Sequence, residues 1–164
     1  MAMRDECLKA NEGYAASFDK GGQPMPPGRK LAVVVCMDAR LMPDQFLGLD
    51  IGDAHVIRNA GGIVTDDALR SLIISHKLLG TNEFIVVNHT DCGMLTFEDE
   101  TLRQRLTQET GADAKGLQFY AFKNLEENVR AQVQKIKSSP FLSDDIPVSG
   151  FIYQVEDGRL RQVV

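Results

Sequence analysis

The sequence has no tryptophan, and only three cysteines and three histidines. Three cysteines at positions 7, 36 and 92, an odd number far apart, do not form a disulfide framework. An apolar run approaching the roughly 18 residues of a spanning helix is also missing. The first residues, "MAMRDECLKANEGY", carry charge early and have no apolar core, so they do not read as a secretory signal. A reducing, cytoplasmic setting is the expectation. Positive charge is in deficit: 18 Lys and Arg stand against 23 Asp and Glu, a net charge of −5. That balance lacks the basic footprint of a nucleic-acid binder and argues against adhesion to anionic membranes. No internal repeat is visible.

What is present is a chain of 164 residues, 43% hydrophobic and 25% charged, enough for one domain with a full core. Segments of two periodicities alternate along it. "KLAVVVC" (30–36) is a β-branched run suited to a strand buried on both faces, and "EFIVVNH" (83–89) is a second strong one. "AHVIRN" (54–59) is a weaker strand. "VSGFIYQV" (148–155) is a fourth, and the "DG" at 157–158 predicts a hairpin into "RLRQVV". Between the second and third strands, Leu69, Leu72, Ile73, His76 and Leu79 share a helical face, with Thr65 as N-cap and Gly80 as stop. Another helix aligns Phe122, Leu125, Val129, Val133 and Ile136 before Pro140, and residues 98–109 read as a polar surface helix. Strands separated by helices imply crossovers. The fold class is therefore α/β: a mostly parallel central sheet flanked by helices, with a C-terminal hairpin and an N-terminal helical arm. One domain is expected over 1–164, with an arm at 1–20, a Gly/Pro linker at 21–28 ("GGQPMPPG") and a core at 29–164. The arm carries Leu8, Tyr14 and Phe18, so it either folds back or lies on a second subunit.

Two strands end in chemistry. The first ends in "CMDAR" and the third in "HTDCGM". Ligands in open α/β sheets gather beyond the carboxyl ends of the strands, which brings Cys36 toward His89 and Cys92. Two thiolates and one imidazole suit zinc, and three protein ligands leave a fourth position open. The alternative is a buried core cysteine and a strand-capping histidine. Alternation along an extended "CMDAR" places Cys36, Asp38 and Arg40 on one side, where Arg40 can hold Asp38 ionised near the metal. An ordinary surface ion pair is the competing reading.

"CMDAR", "RNAGG" (58–62) and "HTDCGM" (89–94), in that order, resemble the β-class carbonic anhydrase family, in its small prokaryotic branch. The similarity runs from about residue 28 to the C-terminus. It implies one zinc per chain on Cys36, His89 and Cys92, a catalytic pair Asp38 and Arg40, and dimers built partly by exchanged N-terminal helices. A homodimer or a dimer of dimers is expected, with carbon dioxide and bicarbonate as the small-molecule substrates. Ala39 stands where many members have serine.

The implied activity is reversible hydration of carbon dioxide by zinc-bound hydroxide, since zinc lowers the pKa of bound water from 15.7 to about 7. Asp38 would then accept a hydrogen bond from that hydroxide. Because the family's closed state, with Asp38 on zinc, involves a tryptophan-containing pocket, an open site with Asp38 paired to Arg40 is expected here. His55 and His76 are the remaining histidines, but neither reads as a proton shuttle. "RNAGG" lacks G-x-G-x-x-G spacing, so a nucleotide site is not expected. By resemblance the loop lines the zinc cleft, and the Gly61 amide is a candidate donor to a substrate oxygen. Asp91 reads as a solvated turn residue. Carbonyl sulfide or carbon disulfide hydrolysis uses the same zinc chemistry and stays open, as does a non-catalytic zinc module. A zinc deaminase is excluded, because neither His-x-Glu nor Pro-Cys-x-x-Cys occurs.

Overall fold

A computed structural model describes residues 2–164. Its elements in chain order are α1 (Met3–Ala16), β1 (Leu31–Cys36), α2 (Pro43–Phe46), β2 (Ala54–Asn59), α3 (Asp66–Leu79), β3 (Glu83–His89), α4 (Asp99–Thr110), α5 (Leu125–Lys137), β4 (Val148–Tyr153) and β5 (Leu160–Gln162). The five strands form one sheet in the order β2-β1-β3-β4-β5. The first four run parallel, and β5 pairs antiparallel with β4 through the turn at Gly158, where φ is 75°. β4 ends at Tyr153, two residues earlier than its apolar pattern suggests, because Gln154 N–H already bonds to Arg159 O across the hairpin.

All six residues of β1 are buried, as expected of a continuous apolar run in a parallel sheet. Ala32 and Val34, with Phe84 and Val86 of β3, face a layer built on Leu72 of α3 and on Val133 and Ile136 of α5. Leu31, Val33 and Val35, with Val87, face Leu41, Leu49 and Met94 on the other side. The second face is covered by loops and the short α2 rather than by long helices. Ala54, Val56, Ile85, Phe151 and Leu160 there stay only partly buried.

α3 starts at Thr65, whose Oγ1 accepts from Ala68 N–H at 3.2 Å, and stops at Gly80 with φ 75°. Of the expected face Leu72 is fully buried and Leu69 and Ile73 pack partly buried against the same core, and Ala68 and Ser75 are buried beside them. Ser75 can be buried because its Oγ is satisfied by Thr81 Oγ1 at 2.6 Å and His55 Nδ1 at 2.7 Å. α5 starts on Asn124, whose side chain accepts from Glu127 N–H, and buries Val129, Val133 and Ile136 as the periodicity predicts. It also buries Asn128 and Gln132, while Phe122 lies before the helix in a loop. α4 buries nothing, in keeping with its polar sequence.

α1 likewise buries no residue in its own subunit. The end of the 21–28 segment is anchored rather than free: Pro27 is buried and Gly28 N–H bonds to Gly52 O at 2.8 Å. Among the described residues no helix is long and apolar enough to cross a membrane.

Candidate metal centre

Parallel pairing of β1 and β3, with Val35 opposite Val87, brings their carboxyl ends to one edge of the sheet. β1 delivers Cys36 as its last residue and β3 delivers His89 as its last. The turn that follows, with Asp91 at φ 52°, swings Cys92 back toward both. The two sulfurs and one imidazole nitrogen all lie within 4.8 Å of one another, and all three residues are buried.

The histidine's orientation is fixed by its neighbour. Nδ1 lies 2.8 Å from Thr90 O, and a carbonyl can only accept, so Nδ1 carries the proton and Nε2 presents its lone pair. Nε2 is buried and has no hydrogen-bond partner among the described residues. An orphaned buried nitrogen costs about 1–3 kcal/mol, and a cation between it and the thiols removes that cost. The donor set passes the test for zinc: two sulfurs, one oriented imidazole and a backbone carbonyl behind it.

The thiols share their protons unequally. The hydrogen bond from Cys92 holds Cys36 well below the ordinary thiol range, against the opposing effect of burial. The same bond, reinforced by burial, pushes Cys92 well above the ordinary thiol range. Burial acts to lower His89, but the neighbouring Cys36 sulfur and its charge outweigh it and the imidazole is raised. A divalent cation replaces these protons.

Asp38 reaches the same edge through a turn, not through an extended strand. β1 ends at Cys36, and Leu41 N–H bonds back to Asp38 O at 3.0 Å. The turn lets the Asp38 carboxylate take three donors from Arg40: backbone N–H at 2.9 Å, Nε at 3.0 Å and Nη2 at 2.8 Å. These bonds hold its carboxyl well below the usual carboxylate range. Its Oδ2 sits 3.8 Å from His89 Nε2, beside the candidate ligands but not bonded to them.

Two residues given no role from the sequence complete the setting. Asp91, read there as a solvated turn residue, places its Oδ2 2.7 Å from Arg40 Nη1, and its carbonyl accepts from Nη2 at 3.0 Å. Arg58 donates to Cys36 O and Asp38 O at 3.0 and 2.8 Å, gripping the backbone between ligand and carboxylate. An arginine at a strand end carries no signal that separates this role from a solvated one.

The Gly61 amide, expected to face a substrate oxygen, instead donates to Cys36 Sγ at 3.3 Å. Asn59 brackets this loop: its side chain donates to Ile63 O at 2.7 Å and accepts from Ile63 N–H at 2.8 Å. His55 pairs with Ala32, near the other end of the sheet, and His76 Nδ1 bonds to Thr81 O. Both are structural. Cys7 is exposed on α1, away from this cluster. The 560 Å³ cleft around His76 and Pro147 and the 450 Å³ cleft around Arg130 and Arg161 include none of the three candidate ligands.

Comparison with known proteins adds an independent line. The carbonic anhydrase family model matches residues 31–160. β-Carbonic anhydrase 1 of Mycobacterium tuberculosis is 44% identical over 163 residues, covering 99% of both chains. A carbon disulfide hydrolase of an Acidianus strain is 37% identical over 182 residues, covering 96% of this chain and 87% of that protein. The crystal structure of carbonic anhydrase from Streptococcus mutans superposes with a TM-score of 0.95 at 43% identity, covering 100% of this chain and 99% of the other.

Proposed function

The chain belongs to the β-carbonic anhydrase family, and on that premise we propose that Cys36, His89 and Cys92 hold its zinc while Asp38 and Arg40 serve the chemistry. The reaction is reversible hydration of carbon dioxide to bicarbonate and a proton, and the enzyme is a zinc-dependent lyase. The observation that carries the residue assignment is the buried, partnerless Nε2 of His89 facing two thiols, with an ionised Asp38 beside it.

Zinc bound there supplies Lewis acidity, which in such sites brings the ionisation of water from 15.7 to about 7. The remaining work falls to the protein. Asp38, held ionised by Arg40, has no proton to give and can only accept a hydrogen bond. It therefore orients an O–H donor at the site, turning the oxygen lone pair toward the substrate carbon. One C–O bond forms, bicarbonate results, and one proton leaves. No free histidine stands at this edge to take that proton, since His55 and His76 are tied to Ser75 and Thr81. Solvent and buffer are its acceptors. The Gly61 amide is assigned to the Cys36 sulfur rather than to a substrate oxygen.

Carbon disulfide or carbonyl sulfide hydrolysis is the second reading, favoured by the 37% identity to a carbon disulfide hydrolase. Direct assay of all three gases on zinc-loaded protein separates them. Carbon dioxide turnover well above the other two supports the first reading, and the reverse order supports the second.

The assembly is a homodimer or a dimer of dimers. α1 buries nothing in its own subunit, and Met3, Leu8 and Tyr14 on it, with Phe18 just beyond, are exposed. A second copy with its own partly covered sheet face is a fitting counterpart. A cytoplasmic setting is supported by ligand thiols that must stay reduced.

A further inference from the structure

Three carboxamides are buried behind the metal centre. Asn88 lies in β3 one residue before His89, and Asn128 and Gln132 lie one turn apart on α5. They are 1%, 9% and 9% exposed, in a region where neighbouring positions are apolar. Burying an amide without partners costs about 1–3 kcal/mol on mutational evidence, so such groups persist only if satisfied. These are. Val64 N–H donates to Gln132 Oε1 at 2.8 Å, and Gln132 Nε2 donates to Asn128 Oδ1 at 2.9 Å. Asn128 Nδ2 donates to Asn88 Oδ1 at 2.7 Å. Asn88 Nδ2 then donates to Gly61 O at 2.8 Å and to Gly62 O at 3.3 Å.

The sense of this chain is not free. A backbone N–H at one end can only donate and backbone carbonyls at the other can only accept, so every amide between them has one allowed orientation. The chain ends on two glycines in succession with positive φ, 81° and 61°. Glycine peptides are soft and need outside restraint to hold one geometry. Asn88 supplies it by gripping both carbonyls, and the restrained residue is the one whose own N–H points at Cys36 Sγ.

We infer that Asn128 and Gln132, acting through Asn88, are positioning residues that aim the Gly61 amide at the Cys36 sulfur and so set that thiolate's donor strength toward zinc. The inference rests on Cys36 being a zinc ligand. An N–H···S bond draws electron density from the sulfur. Two thiolates place more negative charge on a metal than three imidazoles do, which opposes its Lewis acidity. The relay moderates one of those two thiolates, and groups that hydrogen-bond to metal ligands tune a metal in this way.

The test uses cobalt(II) in place of zinc in the full-length protein and reads the sulfur-to-cobalt charge-transfer band. Asn128→Asp keeps the acceptor that Gln132 needs but loses the donor to Asn88. Asn88 must then turn its own N–H toward the new carboxylate and release Gly61. Cobalt should still bind at one per chain, with the band shifted to lower energy because the sulfur is more electron-rich. Zinc-loaded activity at neutral pH should fall about tenfold. Gln132→Glu, which keeps the acceptor for Val64 and loses the donor to Asn128, should shift the band in the same direction and carries the test if Asn128→Asp does not fold. A folded variant with an unshifted band overturns the relay, whatever its thermal stability. A wild-type cobalt protein with no thiolate band overturns the ligand assignment instead, so the two failures are distinguishable.

Discussion

Arg40 meets Asp38 edge-on: Nε and Nη2 reach the two carboxylate oxygens at 3.0 and 2.8 Å, a bidentate fork only a guanidinium can make. Its far edge is held by Asp91 at 2.7 Å. The carboxylate nearest the candidate ligands is thereby fixed on Arg40, with its Oδ2 3.8 Å from His89 Nε2.

Removing the fork should let Asp38 turn toward the cation site. Arg40→Ala is expected to lower carbon dioxide hydration about 10–100-fold, most severely at lower pH, where hydroxide competes least with a freed carboxylate. Arg40→Lys should rescue it only in part, because a single ammonium cannot hold both oxygens. Rate–pH profiles of the two variants check this. A fully active Arg40→Ala protein would remove Arg40 from the chemistry.

Because Arg40 depresses the Asp38 pKa, the group's contribution to stability has a definite sign. The folded value lies below the unfolded value of about 3.9, so the contribution is present above pH 4 and is lost as pH falls through the folded value. Melting temperatures of wild type and Asp38→Asn should differ most at pH 5–7 and converge on acidification below 4. A gap that widens on acidification would contradict this ion pairing.

Gly62 sits where β1, β3 and the 60–62 loop converge. A Cβ there would meet Cys36 N, Asn88 Nδ2 and Val87 O, each at 3.0 Å, with φ at 61°. Backbone atoms cannot yield as a side chain can, so Gly62→Ala should cost about 1–3 kcal/mol and displace Cys36. Denaturant unfolding and zinc content measure the two effects. Gly22→Ala, with nothing within 4 Å, is the silent control.

Deleting residues 1–20 removes a helix that buries none of its residues in its own subunit. The shortened chain should associate more weakly and expose apolar surface. Sedimentation at micromolar concentration decides: a wild-type monomer would contradict the proposed assembly.

Much of this fold was legible because period and chemistry agreed. The all-apolar "LAVVVC" could only be a doubly buried strand, and Thr65 and Gly80 bound α3 as capping chemistry requires. The grouping of Cys36 with His89 and Cys92 follows from strands that end where parallel sheets place ligands. Three features were not legible. Asp38 and Arg40 meet through a turn that strand alternation does not foresee. Asn128 and Gln132 look polar and exposed until α5 is set against β3, because a buried amide differs from a solvated one only in its partners. Asp91 finds Arg40 across 51 positions of sequence, a contact no local pattern encodes.

Stopped-flow hydration of carbon dioxide on metal-quantified protein is decisive for zinc catalysis at this site. The rate should rise in proportion to zinc up to one per chain. A Cys92→Ala protein should lose most of its zinc and all of its activity. A fully zinc-loaded wild type inert toward carbon dioxide, or a Cys92→Ala protein with full zinc and normal rate, would contradict it.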